Sequence, residues 1–194
     1  MIRIVAGAWR GRALVAPPGN ATRPTADRVR QALFDMLLHA PWAGPDALES
    51  ARVLDAFAGT GALGLEALSR GAAHATFIEN GRASLAALRA NVAGLHAEDR
   101  TRIVTGDALA PPRATAPCTL VFLDPPYGQG LLPHALAALT AAGWLAPDAL
   151  IVAETGRAEA SPTPSPLAER LHGAARISVW RRTTGSCASA ETPC

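Results

Sequence analysis

The sequence predicts an α/β fold in which a mostly parallel sheet carries helices on both of its faces. Three observations lead to this fold class. Short apolar runs alternate with amphipathic helical patterns from residue 51 onward, a glycine-rich turn follows the first of these runs, and an Asp-Pro-Pro-Tyr turn follows a later one. Such alternation builds parallel strands joined by helical crossovers. With 194 residues, 49% of them apolar, the chain has enough interior for one full sheet and its helices.

The N-terminal part of the chain is predicted to form a small extension ahead of the sheet. Residues 2–6 and 12–16 are expected to pair as extended segments around a glycine-containing turn. A helix then runs to about His39. Thr25 and Asp27 are candidates for its N-terminal cap, because their side chains accept hydrogen bonds from the first helical N–H groups.

The chain divides into an extension over residues 1–45, a core over 46–182 and a tail over 183–194. The predicted core elements follow in chain order: strand 51–56, helix 62–70, strand 74–79, helix 81–94, strand 101–105, strand 118–123, helix 131–142, strand 149–154 and strand 175–180. The last strand is expected to run antiparallel at the end of the sheet, after a loop rich in Ser and Pro at 161–166. The tail lacks apolar periodicity and is expected to be disordered.

A glycine-rich turn links the strand at 51–56 to the helix at 62–70, and its glycines have the spacing G-x-G-x-x-G. Glycine permits a tight turn and a close approach of the backbone to a ligand, toward which the helix N–H groups point. The same spacing occurs in nicotinamide and flavin sites, so it does not by itself identify the ligand. The candidate cofactor contacts in this turn are Asp55, Phe57, Ala58, Gly59, Thr60 and Gly61.

Asp55, at the end of the preceding strand, narrows the choice of ligand. A carboxylate aimed into the glycine crevice would repel the diphosphate of a dinucleotide, whereas it would attract an ammonium or a sulfonium. S-adenosylmethionine (SAM) carries both of these cations and no phosphate. The chain contains no lysine and no G-K-[ST] motif, which excludes a Walker-type phosphate loop.

Two further acidic residues follow apolar runs at positions that suit such a ligand. Glu79 ends the strand at 74–79, about twenty residues past the first glycine of the turn, which is the usual distance to an acid that binds ribose hydroxyls. Asp107 follows the strand at 101–105 and is placed to accept a hydrogen bond from an adenine amine. Each acid has an alternative interpretation as a solvated strand-end or helix-capping residue, since acids are common in both positions.

The segment Asp124-Pro125-Pro126-Tyr127 is the most informative one, because it closes a buried apolar strand at 118–123. Ligands of open α/β sheets bind at the carboxyl ends of the strands. There Tyr127 would stack on a flat base while Asp124 accepts hydrogen bonds from the amine of that base. The alternative interpretation is a stiff turn, since proline cannot continue a central strand.

Together these segments resemble a known family. The opening at 3–12, the R-P-T-x-D-R-V-R pattern within 23–34, the glycine turn with its helix at 55–71 and the tetrapeptide at 124–127 occur in the same order in the RsmD family. Its members are bacterial 16S ribosomal RNA guanine-N2 methyltransferases. Four linked motifs make the resemblance specific, although Gln31 stands where the family often has Glu.

The resemblance implies the Rossmann-like fold of class I SAM-dependent methyltransferases, and methylation of the exocyclic N2 amine of a guanine in 16S ribosomal RNA. The family target is guanine 966 in conventional rRNA numbering. The resemblance also implies direct methyl transfer to a base turned out of its RNA context. In this interpretation Asp124, Pro125, Pro126 and Tyr127 meet the reacting amine, and Thr25 lies near the cofactor.

Arginine is concentrated near the N-terminus, although the net charge of the whole chain is only +2. Residues 1–30 carry six arginines and one acidic residue, and a guanidinium can pair with a phosphate through two hydrogen bonds. This segment is therefore predicted to bind RNA, with an ordinary solvated basic surface as the alternative. The predicted RNA contacts are Arg10, Arg12, Arg23, Arg28 and Arg30.

Three other functions share parts of this pattern. An adenine-N6 or other amino-methyltransferase acting on DNA or RNA would use the same tetrapeptide on a different amine, but no separate DNA target-recognition domain fits in this length. An NAD-binding Rossmann oxidoreductase shares the glycine turn and Glu79, but Asp55 and the tetrapeptide would have no function in such an enzyme. A non-catalytic RNA-binding module would not need the cofactor motifs.

The remaining features predict a metal-free cytoplasmic protein. The three cysteines and five histidines show no metal-ligand spacing, and no apolar run reaches membrane length. No signal-peptide pattern is present. The expected partner is 16S ribosomal RNA or an assembling small ribosomal subunit, with no membrane involved, and the expected state is a monomer.

Overall fold

The computed structural model describes residues 2–17, 24–43, 47–163 and 165–183. Its elements are β1 Ile2–Arg3, β2 Ala13–Leu14, α1 Pro24–His39, β3 Arg52–Ala56, α2 Ala62–Ser69, β4 His74–Glu79, α3 Arg82–Gly94, β5 Thr101–Thr105, β6 Cys118–Leu123, α4 Leu131–Ala141, β7 Leu145–Gly156, β8 Ala168–His172 and β9 Ala175–Arg181. Most of the predicted tail, residues 184–194, lies outside these ranges. Within them, no helix is both long and apolar enough to span a membrane.

In the described ranges, seven strands form one sheet in the order β5-β4-β3-β6-β7-β9-β8, and β1 pairs with β2 as a separate antiparallel hairpin. The first five strands of that order are parallel, while β9 runs antiparallel to both of its neighbours. The chain therefore builds outward from β3 to β5 and then returns to place β6 on the other side of β3. This reversal opens a crevice at the carboxyl ends of β3 and β6.

Side chains that alternate along the central strands divide the interior into two apolar layers. On β3, Val53 faces the layer that contains α1, α2 and α3, whereas Leu54 faces the layer that contains α4. On β6, Phe122 and Leu123 alternate in the same way. Strands buried on both faces have continuous apolar sequences, which is why the apolar runs predicted the central strands well.

The C-terminal part of the sheet differs from the prediction in two places. β7 begins at Leu145 instead of residue 149, because the strand accommodates Pro147 where its pairing with β6 shifts register. β8 lies in a segment with no apolar strand signal, and β8 forms the end of the sheet. The strand predicted at 175–180 corresponds to β9. It is antiparallel as predicted, but its predicted place at the end of the sheet is wrong. The polar sequence Ala-Glu-Arg-Leu-His of β8 suits an edge strand.

A buried carboxylate anchors the N-terminal extension to α2. Glu66 has a fully buried side chain that accepts hydrogen bonds from Val5 N at 2.7 Å, Ala6 N at 3.0 Å and Arg70 Nε at 2.7 Å. The Nε of Arg30, on α1, lies 3.6 Å from the same carboxylate. One side chain therefore joins the hairpin, α1 and α2.

Gly7 lets the hairpin approach α2 closely. Its φ angle is +81°, and a Cβ at this position would lie 1.9 Å from Ser69 O. The next two residues bond to the same helix end, since Ala8 N donates to Ser69 O at 2.7 Å and Trp9 N donates to Ser69 Oγ at 2.9 Å. Only glycine meets both the conformational and the spatial requirement.

Candidate active site

The crevice between β3 and β6 holds a cavity of about 450 Å³, a size typical of small-molecule sites. The carboxyl ends of the five parallel strands contribute to its wall. The lining residues are Phe57 after β3, Glu79 and Asn80 at the end of β4, Gly106 and Ala108 after β5, Asp124, Pro125, Pro126 and Tyr127 after β6, and Glu154 in β7. Six of the predicted site residues therefore surround one cavity.

Glu79 ties the glycine turn to the end of β4. Its Oε2 accepts a hydrogen bond from Gly59 N at 2.7 Å, and its Oε1 accepts from Gly81 N at 2.6 Å and Asn80 N at 3.0 Å. A carboxylate offers about four lone-pair positions, so the backbone occupies most of them. The capacity that remains suits a ribose hydroxyl, and this contact stays a prediction.

The glycine turn itself is held by backbone and amide hydrogen bonds. Gly61 N donates to Ala58 O at 2.7 Å, and Thr60 O accepts from Asn91 Nδ2 at 3.0 Å. Gly61 has a φ angle of +77°, and a Cβ there would lie 2.4 Å from the Cδ1 of Leu88. These contacts hold the turn in this conformation. Its contacts with the cofactor stay predictions.

Asp55 lies beside the glycine turn and is only 2% exposed. Its Oδ2 accepts a hydrogen bond from Gly64 N at 2.9 Å, at the start of α2. Burial is the main cause that raises the pKa of Asp55 to about 8; the Gly64 N–H opposes this shift, and the charges of Asp124 and Glu79 add to it. The carboxylate supports the first turn of α2 and is not among the residues that line the cavity, and its predicted contact with the cofactor stays a prediction.

Asp107 stands between two residues that line the cavity, Gly106 and Ala108, but does not line it itself. Its side chain is exposed, and Oδ1 accepts a hydrogen bond from Leu109 N at 2.9 Å. This contact is the turn-capping role that an acid often has after a strand. The predicted contact with an adenine amine stays a prediction.

Asp124 opens onto the cavity beside Glu154. The surrounding protein atoms limit its hydration, and this desolvation, followed by the charge of Glu154, raises the pKa of Asp124 to about 7. Pro125 is buried, whereas Asp124 and Pro126 are exposed. A ligand can therefore reach a carboxylate that water solvates incompletely.

Tyr127 is 47% exposed, lines the cavity and donates a hydrogen bond from Oη to the Glu154 carboxylate. Burial, followed by this hydrogen bond, raises the pKa of Tyr127, so the phenol stays protonated at neutral pH. The loop is also held at Gly128, whose N donates to Glu159 Oε1 at 3.0 Å; the same oxygen accepts from Gly156 N at 2.9 Å. Glu154 in β7 and Glu159 in the turn after it thus hold the tetrapeptide and the residue that follows it.

Sequence reasoning missed Glu154, Glu159 and Asn80. Glu154 follows an apolar run, as Glu79 does, and this position was a signal that could have identified it. Glu159 lies in a turn, and no sequence pattern marks its contact with the tetrapeptide loop.

The predicted RNA contacts fall into two groups. Arg10, Arg12 and Arg28 are exposed. Arg30 is only 6% exposed, and its Nη2 lies 2.9 Å from Asp27 Oδ1. A buried, paired guanidinium cannot meet an RNA phosphate, so the prediction is wrong for Arg30.

Arg23 and the side chain of Thr25 lie outside the described part of the structure.

Upstream of this segment, the backbone of Val15 is held by the buried side-chain amide of Asn91. Val15 N donates to Asn91 Oδ1 at 2.6 Å, and Asn91 Nδ2 donates to Val15 O and to Thr60 O, each at 3.0 Å. Asn91 therefore joins the N-terminal extension to the glycine turn.

Comparison with known proteins identifies the family. The family model described as Conserved hypothetical protein 95 matches residues 2–177. The Escherichia coli protein named ribosomal RNA small subunit methyltransferase D is 45% identical over 163 residues, which cover 84% of this chain and 78% of the relative. The chain belongs to the RsmD family. The Haemophilus influenzae member of that name is 37% identical over 167 residues, covering 84% of this chain and 83% of the relative. The resemblance found in the motifs is thereby confirmed.

Solved structures show the same fold. The Escherichia coli protein yhhF aligns with a TM-score of 0.80 at 42% identity, covering 95% of this chain and 99% of that one. An RNA methyltransferase from Salinibacter ruber, solved with S-adenosyl-L-homocysteine, has a TM-score of 0.55 at 18% identity, a likeness of fold; it covers 86% of this chain and 95% of that one. The predicted Rossmann-like fold with its N-terminal hairpin and helix is confirmed.

Proposed function

We propose that this RsmD-family protein transfers the methyl group of SAM to the exocyclic N2 amine of a guanine in 16S ribosomal RNA. One observation carries the proposal: the segment suited to hold a base amine, 124–127, and the acid suited to hold a cofactor ribose, Glu79, line the same cavity. Relatives named ribosomal RNA small subunit methyltransferase D support the choice of substrate.

The charge of the cavity suits SAM. Among the residues that the structure describes, the lining includes three acids, Glu79, Asp124 and Glu154, and no basic residue. Such a wall attracts an ammonium or a sulfonium and repels the diphosphate of NAD. Glu79 would accept hydrogen bonds from the ribose, the glycine turn would hold the amino-acid part, and Asp107 would lie near the adenine. When bound, SAM supplies the electrophilic methyl carbon.

The tetrapeptide positions the guanine. Tyr127 stacks on the base, while the Asp124 carboxylate and the Pro125 carbonyl accept hydrogen bonds from the N2 amine. These bonds draw the nitrogen lone pair out of conjugation with the ring and direct it at the methyl carbon. The amine becomes acidic only once it is methylated, so its proton leaves after transfer and no strong base is needed.

The reaction is expected to depend on the ionisation of Asp124. Its pKa is raised to about 7, and the carboxylate holds the amine well only when it is ionised. The value of kcat/KM for RNA, which reports groups of the free enzyme, should rise about tenfold per pH unit below that pKa and level off above it. Asp124→Asn cannot ionise and should give a low, flat profile. Equal slopes in the two proteins would contradict the assignment.

RNA binding is expected to depend on two of the exposed arginines of the extension, Arg10 and Arg28. Each phosphate contact contributes about 0.7 to about 0.9 to the slope of log affinity against log salt concentration. Arg10→Ala or Arg28→Ala should therefore weaken binding at low salt and make the slope shallower, as measured by filter binding over a salt series. Arg170→Ala, an exposed arginine on the edge strand β8, is the matched control. An equal effect in the control would argue against a specific RNA surface.

Mapping of rRNA methylation tests the proposed function. Small-subunit rRNA from cells with and without the gene for this protein is digested and analysed by mass spectrometry. We expect one N2-methylguanosine that is present only with the gene, and that an Asp124→Ala copy does not restore. An N6-methyladenosine would favour the adenine alternative, and no difference would overturn the proposal. Equilibrium binding of SAM against NAD tests the cofactor separately.

A further inference from the structure

Glu154 is a second carboxylate at the place where the base amine is proposed to lie. β6 and β7 are parallel neighbours with Leu123 opposite Ala153, so Asp124 and Glu154 come next to each other at the strand ends. Both residues line the cavity. A base held at one carboxylate therefore lies in the same cavity as the other.

The two oxygens of the Glu154 carboxylate have different surroundings. Oε1 accepts the hydrogen bond from Tyr127 Oη, which fixes the carboxylate relative to the ring proposed to stack on the base. Across the described ranges, Oε2 has no hydrogen-bond partner, and Glu154 faces the cavity. An ionised carboxylate can only accept hydrogen bonds, so a ligand group that meets Oε2 must be a donor.

Among the bases that carry an amine, guanine alone has a donor beside that amine on its Watson–Crick edge. Guanine has a ring N1–H next to its N2 amine. Adenine has an unprotonated N1 next to its N6 amine, and cytosine has an unprotonated N3 next to its N4 amine. With the amine on Asp124 and the Watson–Crick edge toward Glu154, guanine presents an N–H group to that carboxylate, whereas adenine or cytosine presents a lone pair.

We propose that Glu154 reads the N1–H of the target guanine and so selects guanine over the other amine-bearing bases. This inference rests on the proposed function. Attraction of the correct base and repulsion of the wrong ones act together, as in other specific sites. A site that hydrogen-bonds a donor strongly rejects analogues without that donor, because the polar groups of the site are then left without a partner.

A base analogue without the N1–H tests this inference. In an RNA fragment that contains the target, the guanine is replaced by 2-aminopurine, which keeps the 2-amine but has an unprotonated ring N1. For the unaltered protein we expect kcat/KM for guanine to exceed that for 2-aminopurine by about a hundredfold or more. In Glu154→Ala the ratio should fall at least about tenfold, and this change measures the coupling between Glu154 and the donor.

Two further variants complete the experiment. Tyr127→Phe removes the phenolic hydroxyl but keeps the Glu154 carboxylate. It should therefore lower kcat/KM for both RNAs and preserve their ratio. Glu154→Met matches Glu in length, lacks the charged carboxylate and should lower the ratio even if the Ala variant folds poorly. An unchanged ratio in both Glu154 variants would overturn the inference and leave Glu154 as a residue that only orients Tyr127. Failure of the unaltered protein to methylate the guanine RNA would instead overturn the proposed function.

Discussion

Replacing Asp124 with Ala is expected to lower the single-turnover rate of methyl transfer by about a hundredfold to a thousandfold, the usual effect of removing a group that stabilises developing charge. The hydrogen bond from the N2 amine strengthens as the nitrogen loses conjugation with the ring, so it contributes more to the transition state than to binding. The rate should therefore fall while the Kd for SAM stays largely unchanged. Rapid-quench assays with labelled SAM and equilibrium dialysis measure the two quantities.

Asp148→Ala is the matched control for this change. Asp148 is an exposed aspartate near the amino end of β7, whereas the cavity lies at the carboxyl ends of the strands. The control should leave both the rate and the affinity for SAM unaltered. If Asp124→Ala retained the single-turnover rate within about threefold, Asp124 would not hold the amine.

Replacing Glu66 with Ala is expected to lower the free energy of unfolding by about 3 to about 5 kcal/mol, the range for breaking a buried ion pair. The change would leave the guanidinium of Arg70 without its 2.7 Å partner and would remove the acceptor of Val5 N and Ala6 N. Among the described acids, Arg70 would keep only Asp35, at 3.5 Å, and poorly paired charge and unsatisfied N–H groups in a buried region are costly. Urea denaturation monitored by circular dichroism measures the loss.

Glu98→Ala provides the control, since Glu98 is an exposed glutamate in the turn before β5. It should change the free energy of unfolding by less than about 0.5 kcal/mol, as surface substitutions usually do. In Glu66→Ala, the amides of Val5 and Ala6 should also exchange hydrogen faster, because the hairpin loses its anchor. A loss of stability below about 1 kcal/mol would show that Glu66 is not the main link between the extension and α2.

Local sequence patterns were sufficient for the central part of the fold and for the tetrapeptide. β3, β4 and β6 are buried on both faces, and their apolar runs predicted them directly. The place of Asp124–Tyr127 at a strand end followed from the apolar run before it. β8 was not predicted, because an edge strand needs little apolar character. Its hydrogen-bonded pairing with β9 defines it as a strand.

The roles of individual charged residues could not be predicted in the same way. Arg28 and Arg30 look equivalent in the sequence, but two residues correspond to about 200° of rotation around a helix. Arg28 is therefore exposed, whereas Arg30 points inward to Asp27 and Glu66. Asp55 also reads as a ligand-binding acid, and only the structure shows that one of its oxygens bonds to Gly64 N of α2.

The sequence by itself determined the parallel sheet, the glycine turn and the chemistry of the tetrapeptide, because strand burial and turn geometry depend on neighbours along the chain. Only the tertiary structure decided that Glu154 stands beside Asp124 and Tyr127, and that Glu66 is the anchor of the extension. These contacts join residues far apart in the chain. Strand order and long-range packing set them, and no local pattern encodes either.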